Sequence, residues 1–246
     1  MTKEITAQPC PKKNTIDLTY PPFQPVFCIG ASAGGVKALQ SIAESLPENF
    51  SCPVFFLLHR KRENGTHIHL LNSIIEAKSH LVVETPQNGD IVQGGHIYLP
   101  PKDRHILVDD NQIIFSEHPA DTHWRPSINV LFKSIAREYT ERAVSILLTG
   151  KLDDGVDGLI ETTLHGGITV AQSPEDAYEP MMPLNALLKD HPHYVLPLHD
   201  IPALMCELAQ IHHFPNQKNV IKDAALAART KHQNPNIKQP STQVNY

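Results

Sequence analysis

The chain has 246 residues, a formal charge of -5 at pH 7, 41% hydrophobic residues and a mean hydropathy of -0.25. This composition excludes a disordered chain, and apolar runs no longer than a buried strand exclude stable membrane insertion. The negative charge argues against nucleic acid as a partner, and four scattered cysteines without a C-x-x-C pair indicate neither a disulfide framework nor a zinc knuckle.

Three parts are expected along the chain. Residues 1–24 carry four prolines and no sustained hydrophobic period, which predicts an extended leader. Residues 25–212 alternate short apolar runs with amphipathic segments, which is typical of one α/β domain. Residues 213–246 are polar and basic, with too few apolar side chains to order themselves, and we expect them to be disordered. The charged first residues lack the apolar region of a signal peptide, so we expect a cytoplasmic protein.

Hydrophobic periodicity predicts the elements of the middle part. A buried strand over 26–31 runs into the Gly-rich turn GASAGG, and a helix over 36–46 follows. The remaining predicted elements are, in chain order, a strand over 52–60, a helix over 66–77, a strand over 80–86, short strands over 89–118 with a hairpin turn near Asp109 to Asn111, a helix over 125–140 with Pro126 near its first turn, a strand over 143–150, a helix over 157–166, and strands over 168–172 and 193–197.

This order predicts a doubly wound, mostly parallel sheet flanked by helices, an α/β arrangement of the Rossmann-like kind. We expect the short strands over 89–118 to be antiparallel and to contribute a small antiparallel hairpin.

Three chemically useful residues stand where predicted strands end. Ser32 follows the first strand, His59 comes at the end of the second, and Asp154 follows the strand over 143–150. The carboxyl ends of parallel strands meet at one edge of a sheet, where ligands bind. A hydroxyl, an imidazole and a carboxylate are the groups that activate a serine nucleophile, so these residues are the candidate catalytic set.

The Gly-rich turn offers backbone N–H groups beside Ser32. The amides of Ala33, Gly34 and Gly35 stand at a predicted helix start, where the helix dipole favours negative charge, so they could hold an oxyanion. The same turn could instead cradle a phosphate, and the spacing alone leaves both readings open. The G-x-G-x-x-G and G-x-x-x-x-G-K-[ST] patterns are both unmet, which makes a nucleotide-binding domain the weaker alternative. We predict no metal and no cofactor.

Seven blocks of the sequence occur in order from about Val26 to Ala209: VFCIGASAGGVKAL, LLHR, GGHIYLPPKDRHILV, WRPSINVLFKSIA, VSILLTGKLDDGVDGL, GGITVAQSPEDA and MMPLNAL. Together they resemble the catalytic domain of the bacterial chemotaxis protein-glutamate methylesterases. The resemblance implies a doubly wound α/β fold and an esterase that hydrolyses glutamate methyl esters of a methyl-accepting chemoreceptor, with glutamine deamidation as a second activity.

The matching blocks also imply roles for individual residues. Ser32 would be the nucleophile, His59 its base and Asp154 the acid that orients the base. Arg125, in the block WRPS, would face the substrate.

Some positions depart from the family pattern. Lys151 and Leu152 stand where relatives usually have methionine and glycine, and Leu184 stands where an arginine often follows Met-Pro. The leader is also too short for the phosphoacceptor receiver domain that the family commonly carries, so we expect a stand-alone form. The departures at Lys151 and Leu152 keep open an alternative function, a binding module of a signalling complex that has little or no hydrolytic activity.

Overall fold

A computed structural model describes the chain in four ranges, residues 24–59, 68–101, 104–116 and 125–210. The leader predicted over 1–24 lies outside them except for Gln24, and the tail predicted over 213–246 lies outside them entirely. The predictions for both segments therefore stay predictions.

The described residues form nine strands and six α-helices. The strands are β1 (Val26–Ala31), β2 (Val54–Leu58), β3 (Val82–Glu84), β4 (His96–Tyr98), β5 (His105–Asp109), β6 (Gln112–Ser116), β7 (Ala143–Leu147), β8 (Ile168–Gln172) and β9 (Tyr194–Leu196). The helices are α1 (Gly35–Ser45), α2 (Ile68–Glu76), α3 (Ile128–Tyr139), α4 (Val156–Leu164), α5 (Met181–Lys189) and α6 (Ile201–Ala209). No helix in the described part of the chain has the length and apolarity that crossing a bilayer requires.

Seven of these strands form one parallel sheet in the order β3-β4-β2-β1-β7-β8-β9. The chain starts at β1, builds one half of the sheet toward β3, and then returns to β7 to build the other half. The winding therefore reverses between β1 and β7, which is where doubly wound sheets bind ligands. The predicted fold class is confirmed.

The small second sheet is the predicted antiparallel hairpin of β5 and β6. Its turn residues Asp110 and Asn111 both have positive φ, 48° and 56°, as a two-residue type I′ turn requires. The Glu138 carboxylate accepts hydrogen bonds from both turn amides, and the Tyr139 hydroxyl donates to Asn111 Oδ1 at 2.8 Å. These contacts fix the hairpin to the end of α3.

Three details of the sequence prediction are wrong. β4 is not antiparallel, because the chain after β3 crosses back over the sheet and lets Ile97 pair in parallel with both β2 and β3. The helix predicted over 125–140 begins later, at Ile128, with Ser127 as its N-cap and Pro126 directly before that cap. Helices α5 and α6 were not predicted. Each has a proline near its start, and proline usually indicates a helix break, although the first turn of a helix tolerates it.

Hydrophobic clusters cover both faces of the large sheet, as a parallel sheet requires. Alternate residues of β1 belong to different clusters, so Phe27, Ile29 and Ala31 pack on the face of α1 and α6. Val26 and Cys28 pack on the face of α3 and α4. A residue directly after Ala31 continues this alternation toward α3 and α4.

Candidate active site

The ends of three neighbouring strands bring the predicted residues together. Ala31 pairs with Leu58 as the last register pair of β1 and β2, and the His59 amide donates to the Ala31 carbonyl at 3.0 Å. Ser32 and His59 are thus the next residues on adjacent parallel strands, and both side chains follow the alternation toward the face of α3 and α4. On the other side of β1, the Ser32 amide donates to the carbonyl of Thr149, just past the end of β7.

His59 and Asp154 form a buried pair at this edge. His59 Nε2 lies 2.7 Å from Asp154 Oδ2, and the two side chains are only 1% and 2% exposed. An ionised carboxylate only accepts hydrogen bonds, so the imidazole N–H is the donor. The second ring nitrogen, Nδ1, is then the atom through which His59 can act as a base.

Asp154 also caps the N-terminus of α3. Its carboxylate accepts hydrogen bonds from Ser127 Oγ at 3.0 Å, Ile128 N at 2.8 Å and Asn129 N at 3.1 Å. Burial by itself would raise the pKa of Asp154, but the hydrogen bond and charge of His59 and the two helix amides lower the pKa below its ordinary value. Asp154 is therefore held as a carboxylate beside the imidazole.

A reciprocal cap fixes the loop that carries Asp154. Asn129, in the first turn of α3, accepts hydrogen bonds through Oδ1 from the amides of Gly155 and Gly158, both at 2.9 Å. Gly155 has φ of 102°, and a Cβ on it would overlap Leu147 and Ile128. Asp154 thus holds the start of α3 while α3 holds the start of α4.

Only one of these two supporting residues, Ser127 and Asn129, could be recognised from the sequence. Ser127 had a recognisable signal as a helix start, because serine is a preferred N-cap. Asn129 had none, since its partner Gly155 is 26 residues away.

The glycine turn supplies fewer oxyanion donors than the sequence predicts. The Gly35 amide donates to the Ser32 carbonyl at 2.9 Å, so Gly35 does not fit the role of an oxyanion donor. Within the described ranges, the amides of Ala33 and Gly34 donate no hydrogen bond. Gly34 precedes α1 with φ of 80° and is exposed. The candidate donors are therefore the amides of Ala33 and Gly34.

Arg125 is the predicted substrate-facing residue, two positions before the N-cap of α3. It is partly buried, directly before Pro126, and its Nε atom is buried with no hydrogen-bond partner among the residues described. The substrate-facing role of Arg125 stays a prediction.

The loop before Asp154 carries the two departures from the family pattern. Leu152 has φ of 67°, in the left-handed region, and is 61% exposed. Its carbonyl accepts a hydrogen bond from Asn185 Nδ2 at 2.7 Å, which ties the loop to α5. The Lys151 ammonium is 3.9 Å from a carboxylate oxygen of Glu179, an exposed and therefore weak pair.

No three His, Cys, Asp or Glu side chains are grouped as metal ligands would be, as far as the described ranges extend. The predicted absence of a metal and of a cofactor stays a prediction.

Comparison with known proteins agrees with this architecture. The family model described as CheB methylesterase matches residues 27–205. A Rhizobium johnstonii protein named protein-glutamate methylesterase/protein-glutamine glutaminase 2 is 32% identical over 203 residues, which are 77% of this chain and 54% of that protein. A Leptospira interrogans protein whose name carries the same two activities is 31% identical over 184 residues, 74% of this chain and 93% of that protein.

The solved structures include a close match in fold. The crystal structure of the Thermotoga maritima CheB methylesterase catalytic domain has a TM-score of 0.70 and 26% identity, covering 75% of this chain and 98% of that one. The chain spans about half the length of the Rhizobium relative, nearly all of the Leptospira relative and nearly all of this catalytic domain. Because the family model and these relatives each cover most of the described domain, the chain belongs to the CheB methylesterase family.

Proposed function

We propose that this chain is a serine hydrolase that removes methyl groups from glutamate methyl esters of a chemoreceptor or a related methylated signalling protein. The observation that carries the proposal is the buried 2.7 Å pair of His59 Nε2 and Asp154 Oδ2 at the strand end adjacent to Ser32. The family to which the chain belongs and the names of its relatives support the same activity. A cytoplasmic location is part of the same proposal.

The proposed reaction is an acyl transfer in two steps. Ser32 Oγ attacks the ester carbonyl while His59 Nδ1 takes its proton, and the proton then passes to the leaving methanol. Water, deprotonated by the same nitrogen, releases the glutamate carboxylate from the acyl-enzyme. Asp154 keeps its negative charge throughout, because its pKa is lowered, and stabilises the imidazolium while fixing the orientation of the ring.

The negative charge that develops on the carbonyl oxygen needs donors. The amides of Ala33 and Gly34 stand at the N-terminus of α1, where the helix dipole adds to their effect. Removing one such donor typically lowers turnover by about 100-fold or more. We therefore assign these two amides to the oxyanion hole.

Glutamine deamidation is proposed as a second activity of the same site. It uses the same acyl-enzyme, with ammonia rather than methanol as the leaving group, and the names of the relatives carry both activities. The nucleotide-binding alternative gains no support from the family assignment.

Methanol release from methyl-labelled receptor membranes tests the proposal. The wild-type protein is expected to release labelled methanol, and Ser32→Ala is expected to release none above background. Ser45→Ala is the matched control, because Ser45 is an exposed serine at the far end of α1 and its replacement should leave release unchanged. Equal release by wild type and Ser32→Ala would refute the assignment of the nucleophile.

The binding-module alternative has one observation in its favour, the Lys151 and Leu152 departures in the loop before Asp154. A fluorophosphonate reagent distinguishes the two functions. Covalent labelling of Ser32 supports an activated serine, whereas a folded protein that binds receptor fragments without forming the adduct supports the binding module.

A further inference from the structure

Thr149 is a buried polar residue that follows β7 and contacts both sides of the Ser32 turn. Thr149 is only 2% exposed, and its carbonyl accepts a hydrogen bond from the Ser32 amide at 2.9 Å. Its hydroxyl oxygen lies 2.9 Å from the carbonyl of Ala33, to which it donates. Thr149 therefore holds the amide of the nucleophile Ser32 through its carbonyl and the carbonyl of the next residue, Ala33, through its hydroxyl.

The direction of the Thr149 hydroxyl is set by a second strong contact. The Glu179 amide donates to the same oxygen at 2.8 Å, which occupies one of its lone pairs. The hydroxyl proton then has two carbonyl acceptors, Ala33 at 2.9 Å and Glu179 at 3.4 Å, and the shorter contact is the better hydrogen bond. Thr149 itself is fixed at its amide, which donates to Gln172 Oε1 at 2.9 Å.

The contact with Ala33 determines where the Gly34 amide points. The Ala33 carbonyl and the Gly34 N–H belong to one planar trans peptide, in which the two bonds point in opposite directions. Holding the carbonyl toward buried Thr149 therefore turns the Gly34 N–H away from the interior, toward the exposed side of the turn. That is the side on which a substrate carbonyl must approach Ser32.

We propose that Thr149 is a positioning residue that aims the Gly34 N–H at the oxyanion through its hydrogen bond to the Ala33 carbonyl. The inference rests on the proposed function of the Ser32 site. The Gly35 to Ser32 hydrogen bond closes this turn, and Gly34 has φ of 80°, but glycine permits either orientation of the central peptide, so the bond to Thr149 is what selects one. Loss of this bond affects the transition state, where the oxyanion exists, more than substrate binding.

Steady-state methanol release by Thr149→Val and Thr149→Ser tests the proposal. Valine keeps the size of the side chain but removes the hydroxyl, and we expect kcat to fall about 10- to 100-fold with KM changed less than about threefold. Serine keeps the hydroxyl and is expected to restore most of kcat. A peptide trifluoromethyl ketone, which forms a tetrahedral adduct with the serine, should lose affinity for Thr149→Val by the same factor as kcat.

Thr162→Val is the matched control. Thr162 is a fully buried threonine whose hydroxyl donates to the Gly158 carbonyl at 2.9 Å and contacts Ser145 Oγ at 2.7 Å, on α4 and away from the turn. Its replacement should lower thermal stability without lowering kcat. A general effect of losing a buried hydroxyl would reduce kcat in both valine variants, and that result would overturn the proposal.

Several results separate this inference from the proposed function. If Ser32→Ala is inactive while Thr149→Val keeps wild-type kcat and inhibitor affinity, only the role of Thr149 is refuted. If Ser32→Ala releases methanol as the wild type does, the proposed function fails first. Should Thr149→Val not fold, Thr149→Cys takes its place, because a thiol is only a weak donor; the same loss of kcat is expected, and wild-type kcat would refute the inference.

Discussion

Leu152 adopts a backbone conformation that leucine rarely adopts, and its replacement by glycine measures the strain in the loop before Asp154. The residue has φ of 67°, and its side chain is 61% exposed. The left-handed region brings Cβ close to the following carbonyl oxygen and costs an L-residue about 1–2 kcal/mol, a penalty that glycine does not have. Leu152→Gly removes this penalty.

Two losses oppose that gain. Glycine is more flexible in the unfolded chain, which lowers the free energy of unfolding by about 0.4–1 kcal/mol. The buried part of Leu152 contributes about 0.8 kcal/mol, taken as its share of the roughly 2 kcal/mol for full burial. The gain and the losses nearly cancel, so we expect Leu152→Gly to change the free energy of unfolding by less than about 0.5 kcal/mol.

Leu188→Gly is the matched control. Leu188 is 67% exposed, so the burial lost is similar, but it lies in α5 with ordinary helical backbone. This variant has no strain to release and loses helix propensity, and it should lower the free energy of unfolding by about 1.5 kcal/mol. The difference between the two variants, about 1.5 kcal/mol, isolates the left-handed strain of Leu152. It corresponds to about 3–6 °C in Tm for a domain of this size.

Urea unfolding of both variants, followed by circular dichroism, measures this difference from the midpoints at a common m-value. If Leu152→Gly destabilises the domain as much as Leu188→Gly, the left-handed conformation carries no strain. The reasoning from φ would then be refuted. Methanol release by Leu152→Gly also shows whether the leucine restricts activity.

Two further predictions concern Gly34 and Asp154. Gly34→Ala combines a positive φ with a new Cβ 2.8 Å from Tyr178 Cβ. Gly89→Ala is the control, because Gly89 also has a positive φ, 91°, but no atom lies within 4 Å of its new Cβ. Thermal unfolding should show Gly34→Ala to be the less stable variant, and equal Tm values would contradict the steric argument. The lowered pKa of Asp154 gives stability that is present above the unfolded-state pKa, about 3.9, and is lost as pH falls through the lower folded-state pKa. The free energy of unfolding should therefore fall more steeply below about pH 4 for wild type than for Asp154→Asn in urea titrations, and parallel profiles would show that the carboxylate is not stabilised.

The candidate site could be predicted in part because its main residues follow strands. An apolar run ending at Ala31 and another ending at Leu58 are visible in the sequence, and parallel strands place the next residues side by side. Asp154 follows a third run, but Asp153 and Asp157 lie close by, so its place before Gly155 and the family resemblance were needed to single it out. The 2.7 Å contact between His59 and Asp154 is therefore consistent with a prediction from local patterns and the resemblance together.

Supporting contacts could not be predicted in this way, because they join residues far apart in the chain. The Thr149 hydroxyl and the Ala33 carbonyl are separated by 116 positions, and no local pattern links them. The hydrogen bond from the Gly35 amide to the Ser32 carbonyl depends on the backbone conformation of the turn, which the residue types alone do not determine.

The amino-acid sequence by itself determined the alternation of strands and helices, the doubly wound class and the strand-end positions of Ser32, His59 and Asp154, because hydrophobic periodicity and chain order encode these features locally. The tertiary structure decided the parallel pairing of β4, the capping of α3 by Asp154 and the direction of the Ala33–Gly34 peptide. Each of these depends on hydrogen bonds between distant segments, which form only when the packed sheet and helices bring their partners together.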